Sequence, residues 1–453
     1  ISIIALMLGM IFIESILPYY RDFINKPIEI NYFDNFFVIP SLIGIAIIVG
    51  ILSGIYPGFV LSKYRPVVVL KTNIVNGNKN SWFRNLLVIF QFSIAIALII
   101  GTIIITKQVK LVQNKNLGFD KEQVLVIKNA EILGDKLDVF KNELLINSNI
   151  QQVTISNTLP GQDFSNIGFG SSELDESFTL NLTHCDYDFL QTLNLEMAKG
   201  RFFSKDFKTD SSAIVINEAT AELLGFDDPI GHTINNWNTN QNHFQIIGVV
   251  KNFHYESMHT KIRPQGILLY DGIYGSRPDL VSCKISTNNI TETLDFVQNA
   301  WNKHAGELPF TYSFLDTDYD ALYNNEEQTQ VLFSIFSILA IFIACLGVLG
   351  LASFIAQQKT KEIGIRKAHG ASIQHIFVLL STQFTKWVVL ANVIAWPAAW
   401  YFMDKWLQNF MYRTEIQWWF FLLAGTIAFI IALGTVSIQS LHKAQMNPVD
   451  ALR

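Results

Sequence analysis

Six stretches of the chain are apolar over close to twenty residues: 1–17, 38–60, 86–106, 331–356, 387–403 and 418–440. A helix rises 1.5 Å per residue, so about 20 residues cross the roughly 30 Å of bilayer hydrocarbon. Backbone polar groups in lipid must be paired within their own segment, so each stretch is expected to be a membrane-spanning helix rather than a buried strand. Asn392 and Pro397 interrupt the fifth stretch and predict a kink packed against neighbouring helices. The chain opens inside an apolar run with neither an initiator Met nor a basic leader, which does not fit a signal peptide. It is expected to be a fragment whose N-terminal portion is missing.

Between the third and fourth stretches lies a long polar segment, 107–330, whose pattern changes to short strands and amphipathic helices. A strand at 123–127, a helix at 135–146 and a strand at 151–156 are predicted near its start. The same order returns near its end, with a strand at 280–285, a helix at 291–304 and a strand at 310–315. Two βαβ-type units flanking an insertion predict a small α+β domain interrupted by a β-rich lobe, at about 184–270, with strands at 213–217 and 244–250. Turn signals separate these strands at DDPIG (227–231) and in the Asn-rich run 235–242, which reads as a surface loop. The third apolar stretch runs on in helical pattern through 107–116, and 318–330, without Pro or Gly, leads into the fourth. Two helical stalks are therefore expected to tie the polar domain to the bilayer, able to transmit a displacement that a flexible linker would absorb.

Charge orients these elements. Lys63, Arg65, Lys71, Lys79 and Arg84 face no acid between the second and third stretches, and Lys359, Lys361, Arg366 and Lys367 face only Glu362 after the fourth. Short loops rich in Lys and Arg stay in the cytoplasm. The mixed-charge turns 18–37 and 404–417 then lie outside, as does 107–330, which carries 17 Lys+Arg against 30 Asp+Glu for a net of −13. Such an acidic surface excludes nucleic acid as a partner, while the apolar spans imply membrane lipid. The whole chain is 50% hydrophobic and 16% charged, in keeping with a multi-pass α-helical membrane protein bearing an extracytoplasmic α+β domain. Apart from Glu14 and Lys386 the spans hold almost no ionisable residues, whereas a polar transport path usually needs some.

Catalytic chemistry is poorly represented. The three cysteines, Cys185, Cys283 and Cys345, form no disulfide framework or zinc pattern; Cys345 reads as a buried apolar residue, and Cys185 and Cys283 either remain free thiols or pair in an oxidising compartment. His232, His243, His254 and His259 match no metal template, and the last two, five apart, do not share a helix face; they read as solvated or core histidines. No GxSxG elbow and no GxxxxGK[ST] phosphate loop occurs. No catalytic, cofactor-binding or metal-binding residue is therefore assigned.

One cytoplasmic segment stands out, near 358–378. Glu362 and Arg366 are four apart and can pair on a helix face, Ile363 and Ile365 supply apolar contact, and Gly370 permits a break. On charge alone this is a loop that holds topology. The string TKEIGIRKAHGAS (360–372), however, resembles the cytoplasmic coupling helix of MacB/FtsX-type ABC transporter permeases. GRFFSKDF (200–207), INEATAELLG (216–225), DPIGHTI (228–234), IIGVVKNFHYESMH (246–259) and NPVDALR (447–453) resemble the periplasmic and permease domains of that family in order and spacing. His369 stands where the family more often has an apolar residue and Asn252 where it often has Asp. PVVVLK (66–71) echoes PVDALR (448–453), each after a pair of spans, so a doubled permease is expected, and the high Phe, Ile and Asn content resembles Bacteroidetes-type members.

The resemblance implies four parts: the last two spans of a first FtsX-like unit (1–71), a linker and third span (72–106), a MacB-like periplasmic core domain with helical stalks (107–330) and a C-terminal FtsX-like permease domain (331–453). It implies a multi-pass protein of the bacterial inner membrane. Lys361, Glu362, Ile363, Gly364, Ile365, Arg366, Lys367, Gly370 and Ala371 would form the ATPase-coupling helix. The chain would itself bind no cofactor; ATP and Mg would be held by a cytoplasmic ABC ATPase partner, and outside a periplasmic adaptor or lipoprotein would be met. The function implied is mechanotransmission serving export or extraction of peptide, antibiotic or lipoprotein cargo. Two other classes remain: a membrane-anchored sensor, for which no cytoplasmic effector domain is present, and a membrane-bound hydrolase, for which no nucleophile or metal constellation is present.

Overall fold

The computed structural model describes residues 1–24, 27, 37–62, 81–171, 174–236, 243–286, 289–306, 308–358, 362, 365–366, 369 and 371–444. Two compact units emerge. The first comprises Ile1–Ile103, Gln328–Trp400 and Gln417–Arg453, and the second Ile104–Glu327 with Tyr401–Ile416.

The first unit is helical. Among the described residues its long helices are Ser2–Ile24, Val38–Ser62, Ser81–Asn114, Asn324–Gln358, Ile373–Leu407 and Trp418–Ala444. Among the described residues five stretches are long and apolar enough to cross a membrane, in Ser2–Arg21, Val38–Ile55, Arg84–Asn114, Leu315–Ser353 and Trp418–Ser437, and the stretch expected at 387–403 is not one of them. The 35-residue Ile373–Leu407 helix is diluted by polar residues and contains Pro397 without breaking. Packing in three helices rests on small side chains four apart: Ala344, Val348 and Ala352; Ala391, Ala395 and Ala399; Ala424, Ala428 and Ala432, all buried. Small residues let helix backbones approach in lipid, where hydrophobicity itself gives no drive to associate. Hydrogen bonds add to this packing, Ser93 Oγ donating to Ala391 O at 3.2 Å and the hydroxyls of Thr102 and Ser337 bonding to each other at 2.9 Å. The first two helices contact one another, and among their described residues Leu17 and Ala46 are buried.

The second unit is built on eleven strands: β1 Val124–Ile127, β2 Ile150–Ser156, β3 Ser165–Ser171, β4 Leu174–Cys185, β5 Met197–Gly200, β6 Ala213–Asn217, β7 Thr233–Asn236, β8 His243–Val250, β9 Gln265–Leu269, β10 Leu280–Ile285 and β11 Tyr312–Phe314. The two βαβ-type units interlock. β10 pairs antiparallel with both β1 and β2, and β11 pairs with β1, giving the order β11-β1-β10-β2. That is a ferredoxin-like split βαβ sheet in which each unit's strands are separated by one from the other. Helices Leu137–Leu144 and Ile290–Ala305 cover one face, with Phe140 and Trp301 fully buried over Leu125, Val153 and Val281.

The inserted lobe begins at β3 rather than near residue 184. β4 pairs with β3, β3 with β7, β7 with β8, β8 with β6, β6 with β9, and β9 returns in parallel to β4, closing a six-stranded barrel. Its interior holds Phe169, Leu180, Leu182, Ile214, Ile216, Ile234, Phe244, Ile246 and Leu268, the alternate residues of each strand. Closure removes the exposed edges that short strands would otherwise present. β5 extends β8, and Gly200 at φ +67° and Gly248 allow this: a Cβ on Gly248 would lie 2.2 Å from Arg201 O. The second stalk differs from the single helix expected. It runs as a helix Leu315–Asp320, a 3₁₀ turn Ala321–Tyr323 and the Asn324–Gln358 helix, with right-handed dihedrals throughout the joint.

Candidate functional site

Two places join chemistry to the fold, one after the fourth span and one at the base of the second unit. At the first, Arg366 Nη2 donates to Glu362 Oε1 at 2.8 Å, the pairing that their spacing allows. The amide of His369 donates to Ile365 O at 3.1 Å and that of Ala371 to Arg366 O at 3.0 Å. Ile365 leaves 45% of its surface exposed beside the ion pair. An exposed i,i+4 pair is worth a few tenths of a kcal/mol, so fold stability gives little reason for it. Lys361, Ile363, Gly364, Lys367 and Gly370 lie outside the described residues.

At the base of the second unit, the free face of the split sheet is covered by the loop that follows β8. His254 N donates to Leu117 O at 2.7 Å, Tyr319 Oη donates to His254 O at 2.9 Å, and Met258 N donates to Tyr323 Oη at 2.9 Å. The loop is thus stitched to the end of one stalk and the start of the other. Gly118, at φ +80°, admits Phe253, whose Cβ would lie 2.9 Å from any Cβ placed there.

The outer segment Tyr401–Ile416 joins this junction, which its mixed charge did not announce. Gln108, fully buried, donates from Nε2 to Tyr412 O at 2.8 Å and accepts from Thr414 N at 2.8 Å. Lys115 Nζ lies 3.0 Å from the centre of the Tyr412 ring, and His254 meets that ring edge-on at 4.8 Å. His259 spans between elements: Nε2 is 3.0 Å from Glu326 Oε1, Nδ1 is 3.1 Å from Asn409 O, and the ring stacks on Phe410 at 4.4 Å. Burial, helped by the Lys115 charge, pushes His254 down to about 4, whereas the hydrogen bond to Glu326 raises His259 above the usual imidazole range. No signal in the sequence marked this, because Gln108 is one of several polar residues in 107–116 and only the tertiary structure buries it.

Of the other two histidines singled out in the sequence, His232 stacks on Phe226 at 4.1 Å and His243 Nδ1 meets Asn235 Oδ1 at 2.5 Å. Among the described residues no group of three or more His, Cys, Asp or Glu could hold a metal ion. Cys185 and Cys283 are free and fully buried in separate cores, on opposite faces of the sheet, so burial rather than pairing accounts for both. Beside Cys185 lies a charge cluster that sequence reading missed. Lys141 Nζ reaches both Asp186 and Asp188 at 2.5 Å, and Asp186 also accepts from Thr154 Oγ1 and Ile155 N where β2 meets β4. In the GRFFSKDF region, Arg201 grips buried Asp210 with two 2.7 Å hydrogen bonds and covers the Phe207 ring at 4.0 Å. Asn217 Oδ1 caps the Glu218–Leu224 helix through Thr220 N at 2.9 Å.

Fold and junction together define a multi-pass membrane protein whose external domain is bound at its base to both stalks and to an outer turn. Residues 334–448 match the FtsX-like permease C-terminal family, and residues 86–273 match the MacB-like periplasmic core domain. The chain belongs to the MacB/FtsX family of ABC transporter permeases. It is 24% identical over 303 residues to the macrolide export ATP-binding/permease protein MacB of Aggregatibacter actinomycetemcomitans, covering 64% of this chain and 46% of that protein. It thus spans about half the length of that curated relative. Among solved structures, the periplasmic region of MacB from Actinobacillus actinomycetemcomitans is 21% identical, with 47% of this chain and 98% of that one covered at a TM-score of 0.35. The extracellular domain of the noncanonic ABC-type transporter YknZ from Gram-positive bacteria is 16% identical, with 46% and 92% covered at 0.31.

Proposed function

We propose that this chain is the permease part of an ABC transporter of the bacterial inner membrane and converts ATP hydrolysis by a cytoplasmic partner ATPase into movement of its external domain. ATP and Mg belong to the partner, which docks on the Lys361–Ala371 segment through exposed Ile365 and the Glu362–Arg366 pair. The observation that carries the reading is the helix Ser81–Asn114, which continues without a break from an apolar stretch to Val112, a residue buried in the core of the external domain. A continuous helix transmits a push along its axis, while a flexible linker spreads the same displacement over many conformations. The cargo class is peptide, antibiotic or lipoprotein, taken up outside the bilayer with a periplasmic adaptor or lipoprotein as outer partner. The scarcity of ionisable residues in the spans supports a stroke without a polar path through them.

Detergent-solubilised protein is expected to co-purify with an ABC ATPase whose turnover falls several-fold in Glu362→Ala or Arg366→Ala, with thermal stability unchanged. Recovery of the protein with no ATPase, or of an ATPase indifferent to both substitutions, removes the basis of the reading. The first outcome would favour a membrane-anchored sensor.

A further inference from the structure

We propose that His259 is a proton-dependent latch that holds the outer turn between the last two long helices onto the base of the external domain. This goes beyond the ATP-driven stroke and does not depend on it. The argument starts from the partners. Nδ1 faces the carbonyl oxygen of Asn409 at 3.1 Å, and Nε2 faces the carboxyl oxygen of Glu326 at 3.0 Å. A carbonyl can only accept, so Nδ1 must carry a proton. The Glu326 contact then needs a second proton, whether it resides on Nε2 as an imidazolium facing a carboxylate or on Glu326 as an acid facing a neutral ring. Either arrangement holds one proton more than a neutral imidazole beside a free carboxylate. Removing it leaves two acceptors facing each other and breaks one of the two links.

The surroundings make that proton consequential. Glu326 has a side chain only 16% exposed, and its Oε2 has no hydrogen-bond partner among the described residues, so His259 is its principal counter-group. From the turn, His259 is faced by the uncharged Asn409 carbonyl and the Phe410 ring, and from the stalk joint by Tyr323 at 6.4 Å. Neighbouring Glu327 is engaged by Gln113 Nε2 at 2.7 Å, and on the loop Glu256 lies 3.5 Å from Arg263. The other histidine of this junction does not compete in the same range. His254 is held down to about 4 by burial and by Lys115, so it stays neutral while His259 titrates. The raised His259 value agrees in direction with the geometry. The latch is therefore closed below the ordinary imidazole pKa and opens as pH rises through the raised one.

Hydrogen exchange on the full chain in lipid nanodiscs, corrected for the intrinsic pH dependence of exchange, reads the turn directly. Of the turn's amides, Thr414 is hydrogen-bonded across to Gln108 Oε1 and reports attachment, while Phe410 is bonded to Leu407 O within the turn and reports its local order beside His259. Their protection is expected to fall about tenfold between roughly pH 6 and 9, the order expected for loss of one charge-assisted hydrogen bond. Glu326→Gln should keep the turn protected and abolish the pH dependence, because the amide NH₂ donates to a neutral Nε2 at every pH. His259→Gln should lower protection across the whole range. Flat protection in the unmodified protein, or a pH dependence that survives Glu326→Gln, overturns the latch.

Discussion

Lys141 is the residue whose removal is expected to reveal most about how the external domain is held together. Its ammonium is the cation facing Asp186, which is 4% exposed, and Asp188, whose side chain is 44% exposed. Burial works against the Lys141 charge, but the two carboxylates more than offset it and hold its pKa above the ordinary value. For Asp186 burial dominates and raises the carboxyl, with Lys141 pulling the other way. Lys141→Met keeps most of the volume and strands the Asp186 charge. Removing one partner of a buried pair costs about 3–5 kcal/mol. The lower end applies here, since Asp186 keeps the hydroxyl of Thr154 and the amides of Ile155 and Asp188 as donors.

Two buried thiols provide the assay. Cys185 and Cys283 are both 0% exposed, one adjoining Asp186 and the other in the core on the opposite face, so maleimide reaches them only through opening of the domain. With Cys345 replaced by Ala, about 3 kcal/mol corresponds to labelling roughly 150-fold faster in Lys141→Met at pH 7. The sign of the pH dependence is fixed as well. Asp186 has a folded pKa raised above its unfolded one, so its ionisation opposes folding as pH rises, and without Lys141 that opposition grows. The ratio of variant to unmodified labelling should therefore shrink as pH falls toward 5 and a proton neutralises the stranded carboxylate. A ratio under about fivefold at pH 7, or one that widens on acidification, would refute the assignment of this cluster as the tie at the β2–β4 junction.

Gly248→Ala places a methyl 2.2 Å from Arg201 O and should detach β5 from β8, at a cost of about 1–3 kcal/mol, read as a drop of several degrees in the thermal midpoint of the external domain. His254 has a folded pKa depressed to about 4, so its contribution is present above about pH 6.5 and is lost as pH falls from there toward 4; hydrogen exchange around Tyr412 should rise over that window, and His254→Phe should remove the acid dependence.

The membrane helices and the split βαβ strands were legible because their signals are local. Runs such as 86–106 and 418–440 announce spans by length and apolarity alone, and β10 with the Ile290–Ala305 helix follow from alternation and from an amphipathic face. Glu362 and Arg366 met because a helix brings residues four apart together whatever surrounds it. The start of the inserted lobe was misplaced because β3 carries Gly168 and Gly170, which weaken its strand signal, and the stretch between β3 and β4 is polar.

What the amino-acid order determined by itself was periodicity, the length of apolar runs and the sign of charge in each loop between them. Tertiary structure decided everything that joins distant residues: β9 returning to β4 to close the barrel, Lys141 reaching Asp186, and Gln108 and His259 gripping a turn some 150 to 300 positions away. The division has one physical cause. Hydrophobic periodicity is set by the repeat of the local backbone, while a buried polar contact exists only where the fold has excluded water and delivered a partner, and no stretch of sequence records which partner that will be.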